Sequence, residues 1–147
     1  MSNENLVYRA KIHWVIYLPS VLFLLLGFFL ITQGSDISEE FYFFGGVSIL
    51  VSFATFAKSF IFKITTELGV TDKRVIAKTG LISRDTIELN HTKVESYHIN
   101  QSILGRILGY GTLIVNGTGG GKTPIRSIDS PLNFRKKAVQ AADTEQM

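Results

Sequence analysis

The chain has 147 residues, with fifteen Lys and Arg against twelve Asp and Glu and 46% hydrophobic residues. That length allows one modest domain beside any membrane segment. The chain contains no cysteine, which excludes disulfides, thiolate metal centres and cysteine nucleophiles.

Residues 1–13 are read as a short N-terminal segment carrying Arg9 and Lys11. Two apolar runs follow. Trp14 to Thr32 holds no charge. Phe41 to Ala57 is continued past Lys58 by Ser59-Phe60-Ile61-Phe62. At about 1.5 Å per residue, a hydrocarbon core of roughly 30 Å needs about 20 apolar residues. Both runs meet that length, so residues 14–62 are expected to form a transmembrane hairpin, with spans 14–32 and 41–62. The remaining residues could hardly wrap two all-apolar helices in a soluble core. A signal peptide would have a shorter apolar stretch and a small-residue cleavage site.

The loop 33–40 carries Asp36, Glu39 and Glu40 and no Lys or Arg. Basic residues flank the runs on the other side: Arg9 and Lys11 before the first, Lys58 and Lys63 at the end of the second. Cytoplasmic flanks are enriched in Lys and Arg. The expected topology therefore has both termini in the cytoplasm and the loop outside. Trp14, Tyr17 and Tyr42 fall near the ends of the runs, where amphipathic rings favour the interface. Lys58 lies about a turn inside the second run, within reach of the surface by snorkelling. Pro19 and Gly27 in the first run and Gly45-Gly46 in the second allow a kink or close helix contact.

From Ile64 the pattern changes to short β-rich segments. Strands are expected at Ile64–Val70, Arg74–Thr79, Leu81–Leu89, Val94–Ile99 and Thr112–Val115, with a weak one at Pro124–Ile128. A helical turn or two is expected within Gln101–Leu108. Five or six short strands separated by turns indicate an antiparallel sandwich or small barrel. The stretch Ser130–Ala142 opens with Ser at a natural N-cap and Pro at the first helical position. It then carries Leu132, Phe134 or Arg135, Ala138, Val139 and Ala142 at helical spacing, as a short amphipathic helix does. The predicted domain covers 64–142. Lys63 leads almost directly into its first strand, without a flexible linker.

The segments Thr71-Asp72-Lys73-Arg74-Val75-Ile76 and Thr79-Gly80-Leu81-Ile82-Ser83-Arg84 resemble the opening of the bacterial pleckstrin-homology (PH)-like domain family. Val94 to Tyr97 and the stretch from Gln101 to Leu113 (QSILGRILGYGTL) resemble its later, most distinctive part. Gly105 departs from the family's usual longer side chain. The resemblance covers roughly Val70 to Val139. It implies a membrane α-helical hairpin carrying an all-β PH-like sandwich or barrel capped by a C-terminal α-helix. It implies no known activity.

Several constellations invite chemistry. The loop from Asn116 to Thr123 (NGTGGGKT) approaches a phosphate-binding loop, but Asn116 stands where that motif requires Gly, and Pro124 opens a strand rather than a helix. A flexible hairpin loop is the expectation, with no bound nucleotide. Lys73, Arg74, Lys78 and Arg84 cluster around the first predicted hairpin of the domain and form a candidate lipid- or partner-facing group. His91 and His98 are expected at surface or edge-strand positions, without the acidic neighbours a metal site needs. Basic residues interleaved with aromatics, as single-stranded nucleic acid requires, are absent. These readings favour a non-enzymatic scaffold or interaction module that needs no cofactor and binds protein partners or its own copies at the membrane. The alternatives are an anionic-lipid sensor and an accessory subunit of a transport complex.

Overall fold

The computed structural model describes residues 4–34, 39–80 and 85–145. The chain divides into two compact units: residues 14–63, and a second unit assembled from residues 1–13 and 64–147.

The second unit holds two antiparallel sheets. The first has the order β1 (Leu6–Ala10), β2 (Glu67–Thr71), β3 (Arg74–Thr79), β4 (Asp85–Asn90). The other has the order β5 (Val94–Asn100), β6 (Tyr110–Gly117), β7 (Lys122–Asp129). Strand β3 has the ends read from the sequence. Strands β6 and β7 are longer than expected. Strand β2 is shorter, because Ile64 and Thr65 belong to the preceding helix. Of the expected strand Leu81–Leu89, β4 supplies the part from Asp85, and residues 81–84 lie outside the described residues.

The N-terminal segment, which the sequence reading left without an element, supplies β1. Ala10 stands opposite Leu68, and Tyr8 opposite Val70. Beyond β1 the backbone crosses to the other sheet: Ile12 bridges Ile128, the His13 N–H donates to the Ser127 carbonyl, and the Asp129 N–H donates to the Lys11 carbonyl. The segment therefore ties the two sheets together along one side. In chain topology, everything between Ala10 and Leu68, both apolar helices included, is the connection of one β-hairpin.

Alternation along the strands builds the core. In β6 every second residue is buried, and Leu113 and Val115 face inward with Leu68 and Val70 of β2, Val75 of β3, and Ile125 and Ile128 of β7. Helix α4 (Pro131–Glu145) closes the sandwich with Phe134, Ala138 and Ala141, all buried, and the Phe134 ring meets Tyr8 edge-on at 6.0 Å. The expected apolar stripe is shifted: Leu132 and Val139 are exposed. Ser130 does precede the helix, with its carbonyl accepting from the Asn133 and Phe134 N–H groups.

The first unit is a pair of helices. A 3-10 turn (Trp14–Tyr17) leads into α1 (Leu18–Gly34), and α2 runs unbroken from Glu40 to Thr65, past Lys58. The stretches Trp14–Gly34 and Glu40–Thr65 are both long and apolar enough to cross a membrane. Their packing is the inverse of a soluble core. Large side chains such as Phe28, Phe43, Leu50 and Phe53 point outward, while the buried positions are Ser20, Gly27 and Gly34 on α1 and Gly45, Ser48 and Ser52 on α2. On α1 the three fall seven apart, at 20, 27 and 34; on α2 Gly45 and Ser52 do, and the half-buried Ser59 continues the spacing. Ser48 Oγ donates to the Phe23 carbonyl, Ser52 Oγ to Ser20, and Ser59 Oγ to Ile16. A Cβ on Gly27 would come within 2.9 Å of the Gly45 carbonyl oxygen, and one on Gly45 equally close to that of Gly27. Small residues that let backbones touch, with hydroxyls bonding across, suit a medium in which burying Leu or Phe gains nothing.

Candidate interaction surface

The outer face of the first sheet gathers the candidate cations. Because strand side chains alternate, Arg74, Ile76 and Lys78 share the face of β3 opposite to the core residues Val75 and Ala77. Lys73 is exposed in the β2–β3 turn. Arg84 lies outside the described residues.

Arg74 is not a free cation. Its Nε and Nη2 both bond the Glu4 carboxylate, the first at 2.8 Å, and its Nη1 bonds Glu88 at 2.5 Å. The hydrogen bonding to Glu4 is the main cause holding its pKa above the ordinary arginine value, with the Glu4 and Glu88 charges adding to it. Lys78 stands directly opposite Glu67 in the ladder, and Glu67 also pairs with Arg9 at 2.7 Å. Three cations, Arg9, Arg74 and Lys78, thus share this face with three anions, Glu4, Glu67 and Glu88. An anionic headgroup reaching Arg74 would have to displace two carboxylates. A double-mutant cycle on Arg74→Met and Glu4→Gln is expected to show non-additive loss of thermal stability, with the coupling shrinking at high salt. Additive losses would mean that the pair contributes nothing.

The other sequence candidates fall as follows. The loop after β6 is a hairpin turn, with the Gly117 N–H donating to the Gly121 carbonyl and Gly120 at a φ of 77° that favours glycine. Lys122 opens β7 instead of a helix. His98 is exposed on β5, but His91 is buried, against expectation: its Nε2–H donates to the Thr71 carbonyl at 2.9 Å, tying the β4–β5 connection to β2. His13 is buried too, its ring 5.4 Å from that of Tyr110.

In the helical unit, Trp14 is exposed, and Tyr42 packs over Gly34 while keeping part of its ring exposed. The Tyr17 ring lies 5.3 Å from Phe56, and Lys63 Nζ sits 5.3 Å from the Tyr17 ring centroid, in range for a cation–π contact. Lys58 points away from the helix contact.

Two features escaped the sequence reading. Tyr97 of β5 has its hydroxyl buried without a hydrogen-bond partner among the described residues, and burial pushes its pKa up to about 12. The unfolded chain ionises this phenol near 10. Between about 10 and 12 the unfolded state has therefore released a proton that the folded state keeps, and stability falls as pH rises through that window. Tyr97→Phe is expected to stabilise the fold by about 1 kcal/mol at neutral pH, since it removes an unpaired polar group. It is also expected to flatten the alkaline limb of the stability curve. A lower melting temperature for the variant would show that the hydroxyl has a partner.

The second is the surface of α3 (Ile103–Leu108): the helical turns there were expected, but not that the four large apolar side chains are all exposed, Ile103 at 80% and Ile107 at 74%. Leu104 and Leu108 complete the set. The sequence signal was there, since ILGRIL has no polar face other than Arg106.

Comparison with curated proteins and with solved structures gave no match. A family model described as "Bacterial PH domain" matches residues 15–142. A four-stranded and a three-stranded antiparallel sheet closed by a C-terminal helix, matched over most of the length by that model, make this chain a member of the bacterial PH domain family.

Proposed function

We propose that this protein is a non-enzymatic scaffold of the bacterial inner membrane. The helical hairpin anchors it, both termini lie in the cytoplasm, and the PH-like unit presents a docking surface to protein partners or to further copies of the chain. The observation that carries this reading is the pair of strand edges left open on the sandwich. Among the described residues β4 pairs only with β3, and β5 only with β6. An unpaired edge offers a row of backbone donors and acceptors to an incoming strand. The matched charges of the outer face point the same way, since a surface with three internal ion pairs suits a protein partner better than an anionic lipid.

The experiment is purification of the full chain in mild detergent, with measurement of its mass and of the proteins that co-purify. A complex larger than one chain, or a reproducible partner lost on substituting β5 edge residues, supports the scaffold. A clean monomer with no partner contradicts it. Salt-sensitive binding to phosphatidylglycerol vesicles that depends on Lys73 and Lys78 would favour the lipid-sensing alternative.

A further inference from the structure

Helix α3 is fixed to its unit largely by polar and backbone contacts. Ser102 caps its N-terminus, accepting from the Gly105 N–H at 3.1 Å. The Gln101 amide donates to the carbonyls of Gly105 and Tyr110. Gly105 lies so close to the Tyr110 carbonyl that a Cβ would sit 2.6 Å from it. Gly109 ends the helix in the left-handed conformation, its N–H donating to the Gly105 carbonyl. These contacts leave Ile103 and Ile107 mostly uncovered and Leu104 and Leu108 partly so. Leu132, also exposed, shares a cleft with Arg106 and Gly109 and extends the patch onto α4. Patches of this kind mark a binding surface rather than a core.

The position of the patch identifies what covers it. Tyr110, one residue beyond the C-cap of α3, packs against His13, after which the chain leaves for its first apolar helix. The Ser130 N–H donates to the Gly109 carbonyl, and the neighbouring Asp129 N–H to the Lys11 carbonyl. The apolar patch therefore lies on the part of the unit from which the chain departs for the hairpin. Exposed Arg106 lies within α3 itself, and exposed Lys11 stands just before the chain departs, as cations accompany a segment seated in anionic headgroups.

We propose that α3 is a lipid-inserting wedge. Its four apolar side chains enter the headgroup–acyl boundary of the membrane that the hairpin spans, giving the PH-like unit a second, non-covalent attachment. The proposal rests on the membrane reading of the hairpin. It is distinct from headgroup capture by the β2–β3 cations, because the lipid contact here is apolar and involves another element.

The test uses the full chain, whose lack of cysteine allows single nitroxide labels. Ile103→Cys, Ile107→Cys, Thr118→Cys and Phe28→Cys are each labelled and reconstituted in phosphatidylethanolamine–phosphatidylglycerol bilayers. Collision rates are then measured with oxygen, which concentrates in lipid, and with a nickel chelate, which stays in water. Thr118 lies past the far end of β6, roughly 25 Å from α3 at the rise of an eight-residue strand. Labels at 103 and 107 are expected to collide several-fold more with oxygen than with nickel, and the label at 118 the reverse. Phe28 faces outward on α1 and reports on the hairpin alone. If the label at 28 is lipid-exposed while those at 103 and 107 match the one at 118, the wedge is refuted and the membrane anchor stands. If the label at 28 meets the nickel chelate freely, the anchor itself fails. Low collision with both reagents at 103 and 107 would mean that a protein, a partner or a second copy, covers α3, and would also overturn the proposal.

Discussion

A chain in which residues 14–65 are replaced by a Gly/Ser linker is expected to fold as a soluble PH-like domain, whereas residues 66–147 alone are expected not to fold. Strand β1 is the reason. The truncated piece loses the partner of one edge of β2, the bridge from Ile12 to Ile128, and the Tyr8 ring against Phe134. It also uncovers the core around Leu68 and Val70. Domains of this size hold about 5–15 kcal/mol of net stability, and a loss on this scale consumes most of it. The linked version keeps these contacts. Ala10 and Leu68 are register partners, so a linker of about eight residues, reaching roughly 26 Å, suffices to join His13 to Thr66. Circular dichroism and a cooperative thermal transition decide the matter. An equally cooperative transition in the 66–147 piece would show that β1 is dispensable.

The second large effect belongs to the hairpin. Gly27→Leu and Gly45→Leu are each expected to weaken helix association by about 3 kcal/mol, the upper end of ordinary overpacking. The obstruction is severe because part of it is backbone: the added Cβ would meet Ile49 Cγ1 at 2.7 Å and the Gly45 carbonyl at 2.9 Å in one case, and Ile31 Cγ1 at 2.6 Å and the Gly27 carbonyl at 2.9 Å in the other. Forcing the helices apart would also lengthen the hydrogen bonds from Ser48 and Ser52. Gly46 is the internal control. A Cβ there would meet nothing within 4 Å, so Gly46→Leu is expected to be silent. Resistance to proteolysis in the loop between α1 and α2, followed in detergent against temperature, separates the three variants. Equal behaviour at 45 and 46 would refute the small-residue seam.

What the sequence revealed and what it withheld divide along one physical line. Features coded by neighbouring residues were legible. The apolar runs announce α1 and α2, the alternation in Arg74–Thr79 announces β3, and Ser-Pro announces the start of α4. Features made by distant partners were not. The segment through β1 and just beyond it alternates Tyr8, Ala10 and Ile12 inward with Arg9 and Lys11 outward, which is a strand signal. Its partner, however, lies beyond both helices, and Arg9 and Lys11 read equally well as the basic flank of a span. The basic cluster was legible as charge, but its neutralisation was not. Glu4 is seventy residues from Arg74 in sequence, and only the pairing of β1, β2 and β3 brings them together. The serines at 48, 52 and 59 look like chance polar residues in apolar runs until the two helices are set side by side and their hydroxyls find carbonyls across the seam.

The central claim is that a PH-like domain is assembled from both sides of an apolar helical hairpin. Amide hydrogen exchange on the full chain in bilayers tests it most directly. The amides of residues 6–10 are expected to be protected to the same degree as those of 67–71 and to lose protection together with them in mild denaturant, as one cooperative unit. Residues 6–10 exchanging at the rate of a free N-terminal tail, while 67–71 remain protected, would contradict the account.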